Sequence, residues 1–110
     1  MEQLNKEFIE FVLNSFDKKR ELFLQKNQQY GAKDPLGNFR TIARMRYSDK
    51  SQYEGMFMAA KDFYNKHIAF VENSDVSAIK LDESLGDIAV YAVIMEFLVH
   101  KHKLEANRGE

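Results

Sequence analysis

The hydrophobic positions of this chain repeat mostly at intervals of three and four residues, which is the spacing of amphipathic α-helices. Four such segments are present, over approximately residues 3–29, 39–46, 52–71 and 79–104. No segment alternates polar and apolar residues as a half-exposed strand would. We therefore expect an all-α fold, an antiparallel helical bundle of three long helices and one short helix.

Short local signals mark the expected helix ends. Tyr30 and Gly31 close the first helix, and Asn38 is placed to cap the short one. Ser51 and Glu54 have the spacing of a capping box at the start of the third helix. We expect a single domain over residues 1–110, with a core over about 3–104 and a frayed tail at 105–110.

The most apolar stretch lies in the last helix, and it carries two apolar lines at helical pitch. The first line comprises Leu81, Leu85, Ile88, Ala89, Ala92, Met95 and Val99. The second comprises Val90, Tyr91, Ile94 and Leu98. A helix that is apolar nearly all round is expected to be buried on nearly all sides. One small bundle cannot cover both lines, so we expect a helix from another subunit, and hence a homo-oligomer.

Two acidic residues share a line with the second apolar face. Glu83, Asp87 and Tyr91 follow one another at i, i+4 and i+8, so their side chains stack along one flank of the helix. Carboxylates on a buried helix must be paired, protonated or bound to a metal. We interpret Glu83 and Asp87 as ligands of Mg²⁺. The alternative is a pair of surface acids stabilised near the helix N-terminus by the macrodipole.

Polar residues of the third helix give weaker indications of a metal site. Glu54 could supply a third metal ligand from the neighbouring helix, although its capping-box spacing is a sufficient explanation. Asp62 falls almost opposite the apolar stripe, so we expect it to be solvated unless another subunit covers it. His67, at the edge of the stripe, is expected to be a packing residue rather than a ligand.

Composition narrows the classes of function. The chain has 110 residues, a formal net charge of −1 and no cysteine. This balance predicts no duplex nucleic acid or membrane partner, and it suits a reducing cytoplasm. The longest apolar run, residues 88–95, is far shorter than the roughly 20 residues of a membrane span. The polar, acidic N-terminus is not expected to be a signal peptide.

A group of cationic and amide side chains surrounds the loop before the short helix. It comprises Lys26, Asn27, Tyr30, Asn38 and Arg40. Cationic heads, amide donors and a helix N-terminus together can hold a phosphate group or a base. The alternative is an ordinary polar connection in which Tyr30 fills the core.

Three pieces of the chain together carry a family resemblance: KNQQYG at residues 26–31, DPLGNFRTIA at 34–43 and ESLGDIAVYAVIM at 83–95. In this order they resemble the small, often phage-encoded proteins grouped as nucleotide-modification-associated or MazG-like domains. These domains are related to the all-α nucleoside triphosphate pyrophosphohydrolases. The most specific piece is the last, in which Glu83 precedes Asp87 of an Asp-Ile-Ala-x-Tyr run by four residues.

The resemblance implies a helical oligomer that holds magnesium with helix carboxylates and cleaves a nucleotide between its α- and β-phosphates. Glu83 and Asp87 match the acidic pair of the family's last helix. Lys26, Tyr30 and Asn38 match its substrate-side loop. The chain departs from the family at Gln29 and Ser84, where relatives often carry acids, and it lacks their Glu-Glu-x-x-Glu cluster.

These observations predict a Mg²⁺-dependent nucleotide pyrophosphohydrolase of the cytoplasm, or of the host cytoplasm if the chain is phage-encoded. In this hypothesis Lys26 and Arg40 hold the phosphates, Tyr30 or Asn38 holds the nucleoside, and Tyr91 lies on the substrate side. The incomplete acidic cluster leaves two alternatives open. One is a module that binds a nucleotide, a nucleotide-like signal or a host protein, and the other is a structural helical oligomer with paired acids.

Overall fold

The structure, a computed structural model, describes residues 1–26 and 34–108, except for the side chain of Lys26. It contains α1 (Glu2–Lys26), α2 (Gly37–Arg46), α3 (Gln52–Glu72) and α4 (Leu81–Arg108). No strand occurs in these two ranges. The predicted all-α class, with three long helices and one short helix, is therefore confirmed.

The helix ends depart from several of the predicted caps. Asn38 lies inside the first turn of α2, because Leu36 occupies the N-cap position and makes no side-chain cap. Ser51 does precede α3, but its side chain makes no cap hydrogen bond. The carboxylate of Glu54 instead lies 3.7 Å from Lys50 Nζ. Helix α4 extends to Arg108, and the fraying of the tail stays a prediction.

The chain divides into two compact units, Met1–Pro35 and Leu36–Glu110. In the first unit, α1 is the one helix of the described residues. The second unit contains α2, α3 and α4, with α3 packed against both of the others. All of the side-chain clusters discussed as candidate sites below lie in the second unit.

Helices α3 and α4 run antiparallel. Near one end of the pair, Lys101 Nζ lies 5.7 Å from the ring centre of Tyr53, and near the other His67 faces Asp87. The core of the second unit, to which α2, α3 and α4 all contribute, combines small and large apolar side chains, which bring the helix axes close and fill the remaining space. It comprises Phe39, Ala43, Met56, Ala59, Ala60 and Leu98.

Gly55 allows α2 to approach the first turn of α3. A Cβ atom at this position would lie 3.2 Å from Ala43 Cβ and 3.4 Å from the carbonyl oxygen of Tyr47. Both separations are at or below ordinary van der Waals contact. The close approach of α2 and α3 therefore depends on a residue without a side chain.

The core packs mainly against the second apolar line of α4, and Met95 of the first line also packs against it. Leu98 is fully buried and Ser84 nearly so, whereas Leu85, on the other line, is 47% exposed. Tyr91 and Leu98 of the second line lie at the core. Buried Ser84 falls on the same side of the helix, seven residues before Tyr91. Part of α4 is therefore uncovered within the single chain, and its expected burial by a helix from another subunit stays a prediction.

Candidate functional site

Asp87, the second of the two predicted acidic ligands, lies where α4 faces α3. Its Oδ2 atom is 3.7 Å from Nε2 of His67. The side chain of Asp87 remains 34% exposed and that of His67 remains 23% exposed. The carboxylate is thus partly desolvated yet open to a ligand, and it lies beside an imidazole.

An aromatic cluster, consisting of Phe39, Phe63, His67 and Tyr91, adjoins this carboxylate. The rings of Phe63 and Tyr91 stack with centroids 5.7 Å apart and planes 6° apart. His67 stacks on the same tyrosine at 5.8 Å and 25°. Phe39 of α2 meets Phe63 and Tyr91 edge-on, at 6.1 Å and 6.3 Å. Because three helices contribute rings, the cluster holds the Asp87 turn of α4 in a defined position.

Burial, and secondarily the charge of Asp87, raises the pKa of Tyr91 above its ordinary value of 10.0. Both effects disfavour the phenolate, since it would be a desolvated anion beside a carboxylate. Tyr91 is consequently a neutral hydrogen-bond donor at physiological pH. This is consistent with its predicted place on the substrate side, which stays a prediction.

Glu83 lies one turn before Asp87 on α4, and its side chain is exposed. The structure therefore places the two acids on neighbouring turns, but only Asp87 is partly buried. The metal interpretation was based on the expectation that both carboxylates are buried. This expectation is correct for Asp87, which is partly buried, and wrong for Glu83, which is exposed. The pair still offers oxygen atoms at a solvent-facing edge.

The structure does not bring Glu54 to the other two acids within one chain. Glu54 is in the first turn of α3 and His67 is near its end, so about 20 Å of helix separates them at about 1.5 Å per residue. Antiparallel packing places this first turn beside the Lys101 end of α4. One metal ion cannot bind Asp87 and Glu54 of the same chain across that distance.

Asp62 is part of an internal contact rather than a fully solvated acid. Its Oδ2 atom accepts a hydrogen bond from the Tyr47 hydroxyl at 2.5 Å and lies 4.0 Å from Arg46 Nη1. The bond raises the pKa of Tyr47, chiefly because the phenol donates to a carboxylate. Asp62 thus ties the turn after α2 to the middle of α3, which the helical spacing did not predict.

Arg40 is not part of the aromatic cluster but lines a pocket of about 330 Å³ between α2 and the start of α3. We call this the basic pocket, because its lining includes Arg40, Arg44 and Lys50 and none of its lining residues is acidic. The remaining lining residues are Ala43, Tyr47, Ser48, Ser51, Gln52 and Met56. The pocket can therefore offer cationic, hydroxyl and amide donors to an anion.

Asn38, another predicted substrate residue, belongs neither to the aromatic cluster nor to the lining of the basic pocket. Asn38 is exposed in the first turn of α2. Tyr30 and the side chain of Lys26 lie outside the described residues. The contact of His67 with Asp87 was missed because the two residues are on different helices. The available signal was that His67 follows Phe63 by four positions, on the same helical face.

Within residues 1–26 and 34–108, no group of three or more histidine, aspartate or glutamate side chains is arranged to hold a metal ion. No helix in the same ranges is long and apolar enough to cross a membrane.

A scan of protein-family models, a search of curated proteins and a search of solved structures each found no significant match to this chain. The MazG-like resemblance therefore stays a prediction drawn from the three sequence pieces at residues 26–31, 34–43 and 83–95.

Proposed function

We propose that this chain is a Mg²⁺-dependent nucleotide pyrophosphohydrolase-like protein whose reaction takes place at Asp87. The observation that carries the proposal is the position of this carboxylate, half-buried beside His67 and the Tyr91 ring, with Glu83 one turn earlier. Ionisable groups brought together at a partly desolvated edge are typical of sites that bind and transform ligands.

The two carboxylates, Glu83 and Asp87, are ligands of the kind and number that Mg²⁺ usually takes from a protein. Mg²⁺ takes one or two carboxylates and completes its shell with water and substrate phosphates, so a cage of protein ligands is not required. Glu83 and Asp87 would hold the ion, which would supply charge neutralisation of the phosphates. The exposure of Glu83 suits such an open half-shell.

The chain's own residues would act by positioning and by handling a proton. The ring contacts of Tyr91 with Phe63 hold the Asp87 turn of α4 against α3, so the backbone that carries the carboxylate is positioned before a ligand arrives. His67, 3.7 Å from Asp87, is placed to take up or release a proton beside that carboxylate. Tyr91, a phenol that is protonated at neutral pH, would donate a hydrogen bond to the substrate.

Pyrophosphate release from each common ribo- and deoxyribonucleoside triphosphate, measured with and without Mg²⁺, tests this proposal. We expect release with at least one nucleotide, and a loss of about 100-fold or more in Asp87→Asn. Glu54→Gln is the matched control, because that carboxylate lies at the far end of α3. Absence of release with every nucleotide, modified deoxynucleotides included, would overturn the enzymatic proposal.

A second candidate function, nucleotide binding without turnover, is supported by the basic pocket. It has three cationic lining residues and a volume at the lower end of the range for small-molecule sites. Its lining residues lie on α2, on the turn after it and on the first turns of α3, and they do not include Glu83 or Asp87.

Thermal-shift measurements with nucleotides and with inorganic triphosphate distinguish the two candidates. For the binding module we expect a ligand-dependent rise in Tm that persists in EDTA. The rise should be lost in Arg44→Gln and retained in Asp87→Asn. The opposite pattern, with dependence on Mg²⁺ and on Asp87, would favour the pyrophosphohydrolase.

A further inference from the structure

The cationic residues of the basic pocket come from two segments of the chain. Arg40 and Arg44 lie one turn apart on α2, so they share a face of that helix. Lys50 belongs to the segment between α2 and α3 and lines the same pocket. Since the described lining contains no acidic residue, the pocket presents positive charge from both segments to a ligand that enters it.

Buried apolar side chains also line the basic pocket. Met56 is 1% exposed and Ala43 is 9% exposed. Apolar groups exclude water and lower the local dielectric constant, so a cation beside them attracts an anion more strongly than a fully solvated cation does. The pocket therefore differs from a group of cations on a fully hydrated surface.

The uncharged polar residues of the lining suit a phosphate chain better than a nucleobase. Ser48 and Ser51 supply hydroxyl groups, and the Ser51 side chain makes no hydrogen bond that caps α3. Among the described residues of the lining, Tyr47 is the one aromatic residue, and its hydroxyl already donates to Asp62. Recognition of a base usually combines aromatic stacking with hydrogen bonds to the base edge. Apart from the amide of Gln52, the lining offers cationic and hydroxyl donors, which match phosphate oxygen atoms.

A carboxylate beside the basic pocket is placed to compete with a bound anion. Glu54 is not among the lining residues, but its Oε1 atom lies 3.7 Å from Lys50 Nζ. The side chains of Lys50 and Glu54 are 41% and 43% exposed, so water screens their attraction and the pair is weak. A polyphosphate carries several negative charges and can therefore displace this single carboxylate from Lys50.

We propose that the basic pocket recognises the phosphate chain of its ligand and does not read the base, and that Glu54 lowers the affinity by competing for Lys50. Arg44 and Lys50 hold the phosphate oxygen atoms, and Ser51 donates a hydrogen bond to them. The ligand class is a linear polyphosphate, either free or attached to any nucleoside. This inference rests on the second proposed function, nucleotide binding without turnover, and names the part of the nucleotide that the pocket contacts.

Isothermal titration calorimetry in EDTA, which removes metal-dependent binding at Asp87 from the measurement, tests the ligand class. We expect inorganic triphosphate and the four common ribonucleoside triphosphates to bind with Kd values within about fivefold of one another. Adenosine should not bind, because it has no phosphate.

The same titrations separate failure of this inference from failure of the proposed function. A preference of more than about tenfold among the four nucleotides would show that the base is read, which would overturn the inference and leave nucleotide binding standing. Nucleotide binding without triphosphate binding would have the same meaning. Triphosphate binding without nucleotide binding would support recognition of phosphate and overturn the proposed nucleotide-binding function. Absence of binding by all of these ligands would overturn both.

Variants that each remove one positive charge test the location. Arg44→Gln and Lys50→Gln should each weaken triphosphate binding by about tenfold or more, because a charge-assisted hydrogen bond is lost. Lys61→Gln is the matched control, since Lys61 is exposed on α3 and does not line the pocket. Circular dichroism checks that the variants are folded. Equal weakening in all three would show a response to net charge alone and would overturn the proposal.

The role of Glu54 gives a prediction of opposite sign. Glu54→Gln should strengthen triphosphate binding by about two- to fivefold, because Lys50 loses the carboxylate that competes with the ligand. In the Lys50→Gln background the same substitution should have a smaller effect. Unchanged or weaker binding in Glu54→Gln alone would show that Glu54 does not compete, and would overturn that part of the proposal.

Discussion

The ring of Tyr91 in α4 stacks on the ring of Phe63 in α3, with centroids 5.7 Å apart and planes 6° apart. Asp87 lies one turn before this tyrosine, and its Oδ2 atom is 3.7 Å from Nε2 of His67. The stack and the acid–imidazole contact therefore share one small region between two antiparallel helices. Because the charge of Asp87 raises the pKa of Tyr91, the ionisation of the Tyr91 hydroxyl reports on the charge of Asp87.

Tyr91 should ionise above the ordinary tyrosine pKa of 10.0, first because of burial and second because of Asp87. In Asp87→Asn we expect the pKa of Tyr91 to fall part of the way towards 10.0, because burial remains while the negative charge is removed. Ultraviolet titration of the phenolate measures the change, and Tyr91→Phe identifies the signal. An unchanged titration in Asp87→Asn would contradict the contact between these residues.

The hydrogen bond from Tyr47 to Asp62 should stabilise the second unit in a pH-dependent way. The folded-state pKa of Tyr47 is raised, so its contribution is complete below about pH 10.0 and is lost as the pH rises through the folded value. We expect Tyr47→Phe and Asp62→Asn each to lower Tm near neutral pH. Their double variant should show less than the sum of the two effects. Additive effects, measured by thermal unfolding, would indicate that the bond does not form in solution.

Two leucines of α4 should differ in their importance for stability. Leu98 is fully buried, whereas Leu85 is 47% exposed on the other line of the helix. We expect Leu98→Ala to lower the free energy of unfolding by about 2–5 kcal/mol. Leu85→Ala should cost less than about 1 kcal/mol. Denaturant unfolding of the two variants makes the comparison, and equal losses would mean that a second copy covers Leu85 in solution.

Metal binding should be local to one end of the α3–α4 pair. If Glu83 and Asp87 hold a divalent cation, Mn²⁺ in place of Mg²⁺ should broaden the NMR signals of His67 and Tyr91 but not those of Tyr53. Tyr53 is a suitable reference because it lies beside Lys101, at the opposite end. The broadening should disappear in Asp87→Asn and persist in Glu54→Gln. Equal broadening at both ends would count against a specific site.

The helices of this protein could be predicted from local pattern, but several of their ends could not. The third helix was expected after Ser51 and begins at Gln52, as the apolar stripe indicates. The hydrogen bonds expected from Ser51 and Asn38 are absent from the described helix caps, because neighbouring side chains and tertiary contacts compete with local capping.

Of the candidate site, the position of the acids on one flank of α4 could be predicted, whereas their partners could not. Asp87 and Glu83 follow helical spacing, which is a property of one segment. The approach of His67 to Asp87, and the distance of Glu54 from it, depend on how α3 and α4 align. Sequence spacing holds no information about that alignment, because the two helices are separate segments of the chain.

The sequence by itself determined the all-α class, the three long helices and one short helix, and the shared flank of Glu83, Asp87 and Tyr91. Each of these follows from interactions between residues a few positions apart, which the 3.6-residue period records directly. Only the tertiary structure decided which side of α4 packs against the core, that Arg40 lines a pocket with Arg44 and Lys50, and that Tyr47 bonds to Asp62. These relations arise when whole helices pack, and the packing follows from the combined fit of many side chains.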